Sequence, residues 1–446
     1  MILKNLFFNY LFVVLFFPFF IKIEFDFFQI YLKDLLIFFF IFFLIYFRKI
    51  FNEKEKIEIK KTLILLLLIY IFSIFFIYLK LFFGEQIVLE FNKIEFDFFI
   101  SKFVDLFLRS VFVTFGAISL YFILCKILDQ KKLFNILIYY YFACIIILLE
   151  FIFHIILKEF YYDNLIINKI YSLGIFRSIF LNGHIVTTIF LSVGFFVGIY
   201  LIKKLNYKSL KILNIFLILP IIYNFETRLT ILAFFYIGLI YICLRYFNLK
   251  KIKLRYHFII YTILISLVII FSESNNLGIH QITFGNLIIN TESLLDRVNI
   301  NLISFFAFLN YPFGYGFEMF TAYLDFLYIP SIHLGNYNYK ELYGSFITFH
   351  NFEYLNVHRD FSRSHGGILN ILTSFGIFIF PLYYSLRNFN KMQKKFYYDF
   401  DLYILIKTSI LFIILASLIN YTFEIEILCI LISVFFIKMR NLTNEN

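Results

Sequence analysis

The sequence predicts an all-α fold, a polytopic integral membrane protein of about twelve transmembrane helices with one large outward loop between helices 9 and 10. Three observations predict it. The 446 residues are 62% hydrophobic and 15% charged, with a mean hydropathy of +0.86, which is more apolar surface than a soluble fold can hide. Apolar runs long enough to cross roughly 30 Å of hydrocarbon recur along the whole chain. The connections between those runs alternate between basic and acidic.

Hydropathy places the first six spans near Leu6–Ile23, Leu32–Phe47, Thr62–Leu79, Phe103–Leu128, Leu133–Leu157 and His184–Ile202. The next three lie near Leu210–Asn224, Leu229–Tyr246 and His257–Phe271, and the last three near Ile368–Leu386, Tyr403–Tyr421 and Ile425–Ile437. The chain thus divides into residues 1–271 with spans 1–9, the loop 272–365, and residues 366–446 with spans 10–12 and a tail. The first run follows only Lys4 and ends at "FIKIEFD" without a small-residue cleavage site, so it reads as a retained helix rather than a signal peptide.

Basic connections run from Arg48-Lys49 to Lys60-Lys61, through Lys126/Lys131/Lys132 and Lys203/Lys204/Lys208/Lys211, from Arg245 to Arg255, and from Arg387 to Lys395. The acidic ones carry Glu24/Asp26, Glu85/Glu90/Glu95/Asp97, Glu159/Asp163 and Glu424/Glu426. The positive-inside rule makes the basic set and both termini cytoplasmic and turns the acidic set outward. It also accounts for the net charge of +11 without nucleic acid. The four cysteines, Cys125, Cys144, Cys243 and Cys429, fall in or beside spans and imply neither a disulfide framework nor a metal cluster. Seventy Phe and no Trp look like compositional drift, so aromatic abundance is not read as a functional signal.

The long connection, residues 272–365, has structure of its own, since long loops without a role are uncommon. "SLLDRVNINLISFFAFL" places apolar residues at helical spacing with polar ones opposite, as in an interfacial or groove-lining helix. The turn "NYPFGYGFEMF", a second helix through Phe326 and a Tyr-, His- and Asn-rich stretch follow, ending in "RDFSRSHGGILNILTSFGIF".

Most of the lysines are cytoplasmic, whereas Arg177, Arg228, Arg297, Arg359 and Arg363 are outward, each at or near a membrane face. Arginine keeps its charge in a dry site and offers a planar fork to phosphate oxygens, and a charge near a span needs a partner or a cavity. Arg228 follows Glu226 in a minimal turn; the two either close the hairpin as an ion pair or serve a ligand. Arg297 either balances Glu292 or Asp296 on a helix surface or faces a ligand, and Arg177 is either an interfacial anchor or a site residue.

In the final stretch, Ser364 is a candidate N-cap for a helix starting near His365. Gly366 and Gly367 in its first turn cost about 1 kcal/mol each in helix propensity. In return they open the free N–H groups of a helix terminus to an anion. Arg359 and Arg363 add full charges, and His365 is the group able to take a proton near neutral pH. The plainer account is interfacial arginines paired with Asp360 and glycines that allow close packing; it leaves the convergence of all four features unexplained, and the site reading is preferred. Arg359, next to Asp360, is the weakest candidate. His350, His358 and His365 match no tight zinc spacing, so no metal and no cofactor is expected. Glu150 and His154, one turn apart in span 5, form either a structural hydrogen bond or a proton relay.

Four stretches, in this order, resemble the O-antigen polymerase and O-antigen ligase superfamily. They are "LGIFRSIFLNGHIVTTIFLSVGFF", "ETRLTILAFFYIGLI", "RVNINLISFFAFLNYPFGYGFEMF" with its Pro-x-Gly-x-Gly turn, and "SRSHGGILNILTSFGIFIF" with its histidine-led helix and downstream Gly-Ile. The likeness runs from Ser172 to Pro381. It implies a metal-independent glycosyltransferase at the periplasmic face of the bacterial inner membrane, with an undecaprenyl diphosphate-linked oligosaccharide as donor. It implies that Arg228 and Arg297, supported by Arg177 and Arg363, grip the diphosphate, and that His365 acts as general base on the acceptor. Membrane lipids, a flippase and a chain-length regulator are the implied partners. One departure stands out: family members often have Asn after the histidine, where this chain has Gly366.

The resemblance implies a polymerase of surface polysaccharide repeats, with a ligase acting on lipid A core as the nearest alternative. A transporter or flippase for lipid-linked glycans is the alternative of another class. It is disfavoured because the sequence shows no matching halves with broken helices and its chemistry-bearing residues collect on one face.

Overall fold

The computed structural model describes residues 2–17, 21–24, 29–83, 93–157, 176, 178, 184–223, 228–246, 256, 259–260, 263, 281–284, 287–290, 308–309, 312–316, 367–394, 399–417 and 426–438. Helices dominate. In chain order they begin with α1 (Ile2–Phe16), α2 (Leu32–Phe38), α3 (Phe40–Tyr46), α4 (Glu53–Phe83), α5 (Lys93–Ile127), α6 (Gln130–Leu157) and α7 (His184–Leu205). They continue with α8 (Lys208–Phe216), α9 (Ile218–Tyr223), α10 (Arg228–Tyr246), α11 (Gly367–Phe375), α12 (Ile379–Lys391), α13 (Phe400–Ser417) and α14 (Glu426–Lys438). Among the described residues, three helical stretches are long and apolar enough to cross a membrane: Phe107–Ile127, Gln130–Ile156 and Val186–Leu205.

Two small hairpins accompany the helices. β1 (Lys22–Glu24) pairs antiparallel with β2 (Gln29–Tyr31) between the first two helices, and β3 (Gln281–Phe284) with β4 (Leu287–Asn290) inside the long connection. The second pair has a legible cause: two short runs rich in Ile and Thr are separated in sequence by Gly285-Asn286, a two-residue hairpin signal. Helices were expected in that connection; the described residues hold a helical pair at Phe308-Leu309, while the rest of both expected helices lies outside them.

Three expected single spans are broken helices. The Leu32–Phe47 span is interrupted at Phe39, with neither Gly nor Pro there to signal it. The Leu210–Asn224 span breaks at Leu217, just ahead of Pro220, whose ring is tolerated only in a first turn. The Ile368–Leu386 span breaks at Gly376.

Packing is organised around two helices. α5 carries α2, α3, α4 and α14, while α7 carries α6, α8, α9, α10 and α13, and contact between α13 and α14 joins the halves. On α7 a Gly-x-x-x-Gly pair, Gly194 and Gly198, lets Cys144 of α6 and Asn214 of α8 approach where a Cβ would collide. The core is almost wholly apolar, with Phe7, Phe40, Phe122, Phe196 and Phe412 fully buried. The outer surface is apolar too: Phe42, Ile71, Phe75, Phe142, Phe153 and Leu239 are exposed, as suits lipid-facing helices.

Polar side chains gather in two layers. In the first, Asn52 and Glu55 cap α4 reciprocally, Glu55 N–H donating to Asn52 Oδ1 (2.9 Å) and Asn52 N–H to Glu55 Oε2 (2.8 Å). This Asn-x-x-Glu box starts the helix at Glu53, within what reads as a basic loop. Lys126 Nζ donates to both Glu55 oxygens (2.9 and 2.8 Å), and Gln393 Nε2 to Glu55 Oε1 (2.9 Å). Tyr121 donates to Asn390 Oδ1 (2.6 Å), Lys438 to the Leu128 carbonyl (2.8 Å) and Lys203 to Asp401 Oδ1 (2.7 Å). Segments from separate basic connections and helix ends are thus bonded to one another, the Lys203–Asp401 pair standing beside the Glu55 network. Lys126→Met strands the Glu55 carboxylate, which is 1% exposed. We expect a loss of about 3 kcal/mol, the low end for a buried ion losing its partner because Gln393 and the Asn52 amide remain. Thermal unfolding in detergent measures it.

The second layer lies further along the same helices. At 1.5 Å per residue, Ser73 is about 27 Å from Glu55 on α4, Arg109 about 26 Å from Lys126 on α5, and His154 about 33 Å from Lys132 on α6. Three independent helices therefore separate the layers by about the thickness of a bilayer's hydrocarbon.

Candidate functional site

The second layer contains three groups. The first is built where the turn Pro312–Gly316 meets the break at Gly376. In an unbroken helix the Ile377 N–H would bond the Thr373 carbonyl; here it donates to Pro312 O (2.8 Å) instead. The carbonyls left over at the end of α11 are taken by the turn, Tyr315 N–H donating to Thr373 O and Gly316 N–H to Ser374 O, both 2.9 Å. Every one of these exchanged bonds is main chain to main chain, so the turn satisfies carbonyls that the break leaves over.

Glycine makes this fit. Gly376 has φ +53° and Gly314 φ +91°, values at which other residues are strained. A Cβ on Gly376 would strike the Pro312 carbonyl, and one on Gly314 would strike the Ser374 carbonyl and the Gly376 amide. Tyr315, Thr373 and Ser374 are fully buried. Phe72 of α4 stacks on Phe313 (6.0 Å) and Phe378 (5.9 Å), one ring from each side of the junction. Ser73 Oγ donates to the Tyr315 carbonyl.

The second group surrounds His154. Ser178 Oγ donates to Glu150 Oε2 (2.7 Å), and the Ser178 amide to Thr187 Oγ1 (3.3 Å). The buried His154 ring lies 5.6 Å from Phe176 and 6.0 Å from Tyr223, and Phe151 touches both of those rings at 5.2 Å. The two sequence neighbours of Arg177 are therefore fixed to α6 and α7. The His154 and Phe151 rings against which Phe176 packs also touch Tyr223 at the end of α9, a few residues before Arg228 in sequence.

The third group was missed in the sequence. Arg109 and Asp34 form a buried ion pair (3.2 Å) between α5 and α2, 9% and 3% exposed, with Tyr31 under the guanidinium at 5.5 Å. The signal was there: Arg109 stands in "LFLRSVFV" inside an expected span, where a cation needs a partner. At the next residue of α5, Tyr70 of α4 donates to the Ser110 carbonyl (2.9 Å) and pairs with the hydroxyls of Ser110 (2.7 Å) and, one turn on, Thr114 (2.9 Å).

Of the expected site residues, Arg228 opens α10 and Gly367 opens α11. Arg177, Glu226, Arg297, Arg359, Arg363, Ser364, His365 and Gly366 lie outside the described residues, as do His350 and His358. What the structure does join is their surroundings: the turn that follows Arg297 with the helix that follows His365, and the flanks of Arg177 with the helix end before Arg228. Comparison with protein-family models, with curated proteins and with solved structures gives no match.

Proposed function

We propose that the chain is a metal-independent glycosyltransferase that polymerises oligosaccharide repeat units carried on undecaprenyl diphosphate, at the periplasmic face of the bacterial inner membrane. The observation that carries the reading is the junction of Pro312–Gly316 with Gly376. It unites two motifs about sixty residues apart in sequence, each of which bears one half of the proposed chemistry. The turn lies downstream of Arg297 and the broken helix downstream of His365, so one rigid junction governs where a diphosphate-binding cation and a base can sit.

In this reading the chain crosses the membrane about twelve times with both termini in the cytoplasm, the first polar layer faces the cytoplasm and the second the periplasm. His365 takes the proton of the acceptor hydroxyl as its oxygen bonds to the donor's anomeric carbon. The bond from that carbon to the diphosphate oxygen breaks, and the electron pair leaves on the diphosphate. Arg297 and Arg228, with Arg177 and Arg363, stabilise that charge. Ser364 and the Gly366-Gly367 turn present helix-terminal amides to the same anion; Arg359 lies at the rim. A flippase supplying the substrate and a regulator of chain length fit as partners.

Broken helices also occur in transporters, where unwound backbone lines a cavity. At Gly376 the unwound backbone is instead closed by the turn, which favours a fixed site over a moving one. The test is gel analysis of surface glycan in a deletion strain. Single-repeat products are expected. Loss of all capped lipid A would replace the reading by a ligase, and an unchanged glycan profile would overturn it.

A further inference from the structure

The junction has a third contributor, α4, which lies outside the stretch that carries the family resemblance. We infer that Ser73 is a positioning residue: its hydroxyl fixes the Pro312–Gly316 turn, and through it the helix that follows His365, so that chain growth depends on a hydrogen bond from the amino-terminal half of the protein. The inference rests on the polymerase reading for its activity readout, and on geometry for the bond.

Ser73 is fully buried, and its Oγ donates to the carbonyl of Tyr315, also fully buried and 242 residues away in sequence. A serine within an apolar helix ordinarily bonds the carbonyl one turn back on its own helix. Ser73 reaches across to another segment, and it does so at the residue whose amide already holds Thr373 O at 2.9 Å. Both backbone polar groups of Tyr315 are therefore held, the carbonyl by α4 and the amide by α11. The anchor itself is rigid. One turn before Ser73, Tyr70 locks α4 onto α5 through Ser110 and Thr114, and next to Ser73, Phe72 stacks on both Phe313 and Phe378. A continuous line of buried bonds thus runs from α5 through α4 and the turn to the break at Gly376. Polar groups in an apolar interior hold such a geometry tightly, because the carbonyl has no water to turn to.

Three substitutions test this: Ser73→Ala removes the hydroxyl, Ser73→Val removes it and adds bulk, and Ser73→Thr keeps it with the same bulk. Displacement of a positioning contact by about 1 Å lowers rates on the order of 10- to 100-fold, so we expect a fall of that size in chain growth for Ala and Val at unchanged membrane levels. Thr should restore most of it, and the loss should appear in kcat rather than in KM. Long-chain glycan at the wild-type level in Ser73→Ala, or Thr no better than Val, overturns the inference. A second measurement does not depend on the polymerase reading. Chymotryptic cleavage after Phe313 and Tyr315 in membrane vesicles, mapped by mass spectrometry, should rise for Val and stay low for Thr; equal protection in both variants overturns the bond's role even if the deletion strain confirms the polymerase. An unchanged deletion strain, with cleavage following the expected order, overturns the polymerase reading alone.

Discussion

Replacing His365 by alanine abolishes long-chain surface glycan while leaving the amount of protein in the membrane unchanged, and Arg297→Ala does the same. These are the expected results of the proposed chemistry. A general base contributes about 10²- to 10⁴-fold to a proton-transfer step. Removing one preorganised donor to a developing anion costs about 10²- to 10³-fold. Either loss reduces polymerisation below what a gel resolves, so the two variants should both stop at single repeats. They separate in their pH response. In the proposed mechanism His365 acts as a neutral imidazole, so activity of the intact protein should fall as pH drops through the imidazole range, near 6.5 for an unperturbed histidine. Arg297 stays charged throughout that range, so residual activity in Arg297→Lys should keep the same acid limb, whereas in His365→Gln the limb should vanish. Membrane vesicles supplied with lipid-linked repeat units measure this directly. Normal long-chain glycan in either alanine variant removes that residue from the catalytic assignment.

The sequence disclosed the fold's outline because the relevant physics is local. Lys126, Lys203 and Lys438 mark helix ends by charge alone, and the structure bonds the first to Glu55 and the second to Asp401. The start of α4 was equally local, an Asn52-x-x-Glu55 cap, but a run of lysines around it reads as a loop. Breaks were harder. Phe39 interrupts a span without any residue that weakens a helix, so only packing against α5 decides it. Gly376 was visible as a Gly-Ile motif, yet its purpose was not, because the partner that fills the break is the Pro312–Gly316 turn far away in sequence. The same holds for Ser73. A single serine among Ile, Phe and Leu has no periodicity to betray it, and its hydrogen bond exists only once two distant segments meet. Arg109 is the opposite case: its type and place were sufficient signal, and its partner Asp34 sits at the start of the second expected span, two spans earlier.

Gly376→Val should be the most damaging substitution within the described helices, and the reason is geometric. At φ +53° a β-branched side chain is strained by about 1–2 kcal/mol or more before any contact is considered. The contacts then forbid relief, since a Cβ would meet the Pro312 carbonyl, the Gly314 amide and the Phe313 carbonyl carbon, all of them backbone. Backbone cannot rotate away as a side chain can. The turn must therefore lift off, which frees the carbonyls of Thr373 and Ser374 and the amide of Ile377 in an interior without water; each unpaired group costs about 1–3 kcal/mol. We expect a loss of at least about 3 kcal/mol in detergent unfolding together with loss of polymer. Gly238→Ala is the control. Gly238 lies on α10 with nothing within 4 Å of the added Cβ, so alanine there should leave stability equal or raise it by up to about 1 kcal/mol. If Gly376→Val unfolds like the wild type and still makes long chains, the junction does not hold the site. If stability falls but polymer length is normal in the surviving protein, the junction holds the fold and not the chemistry.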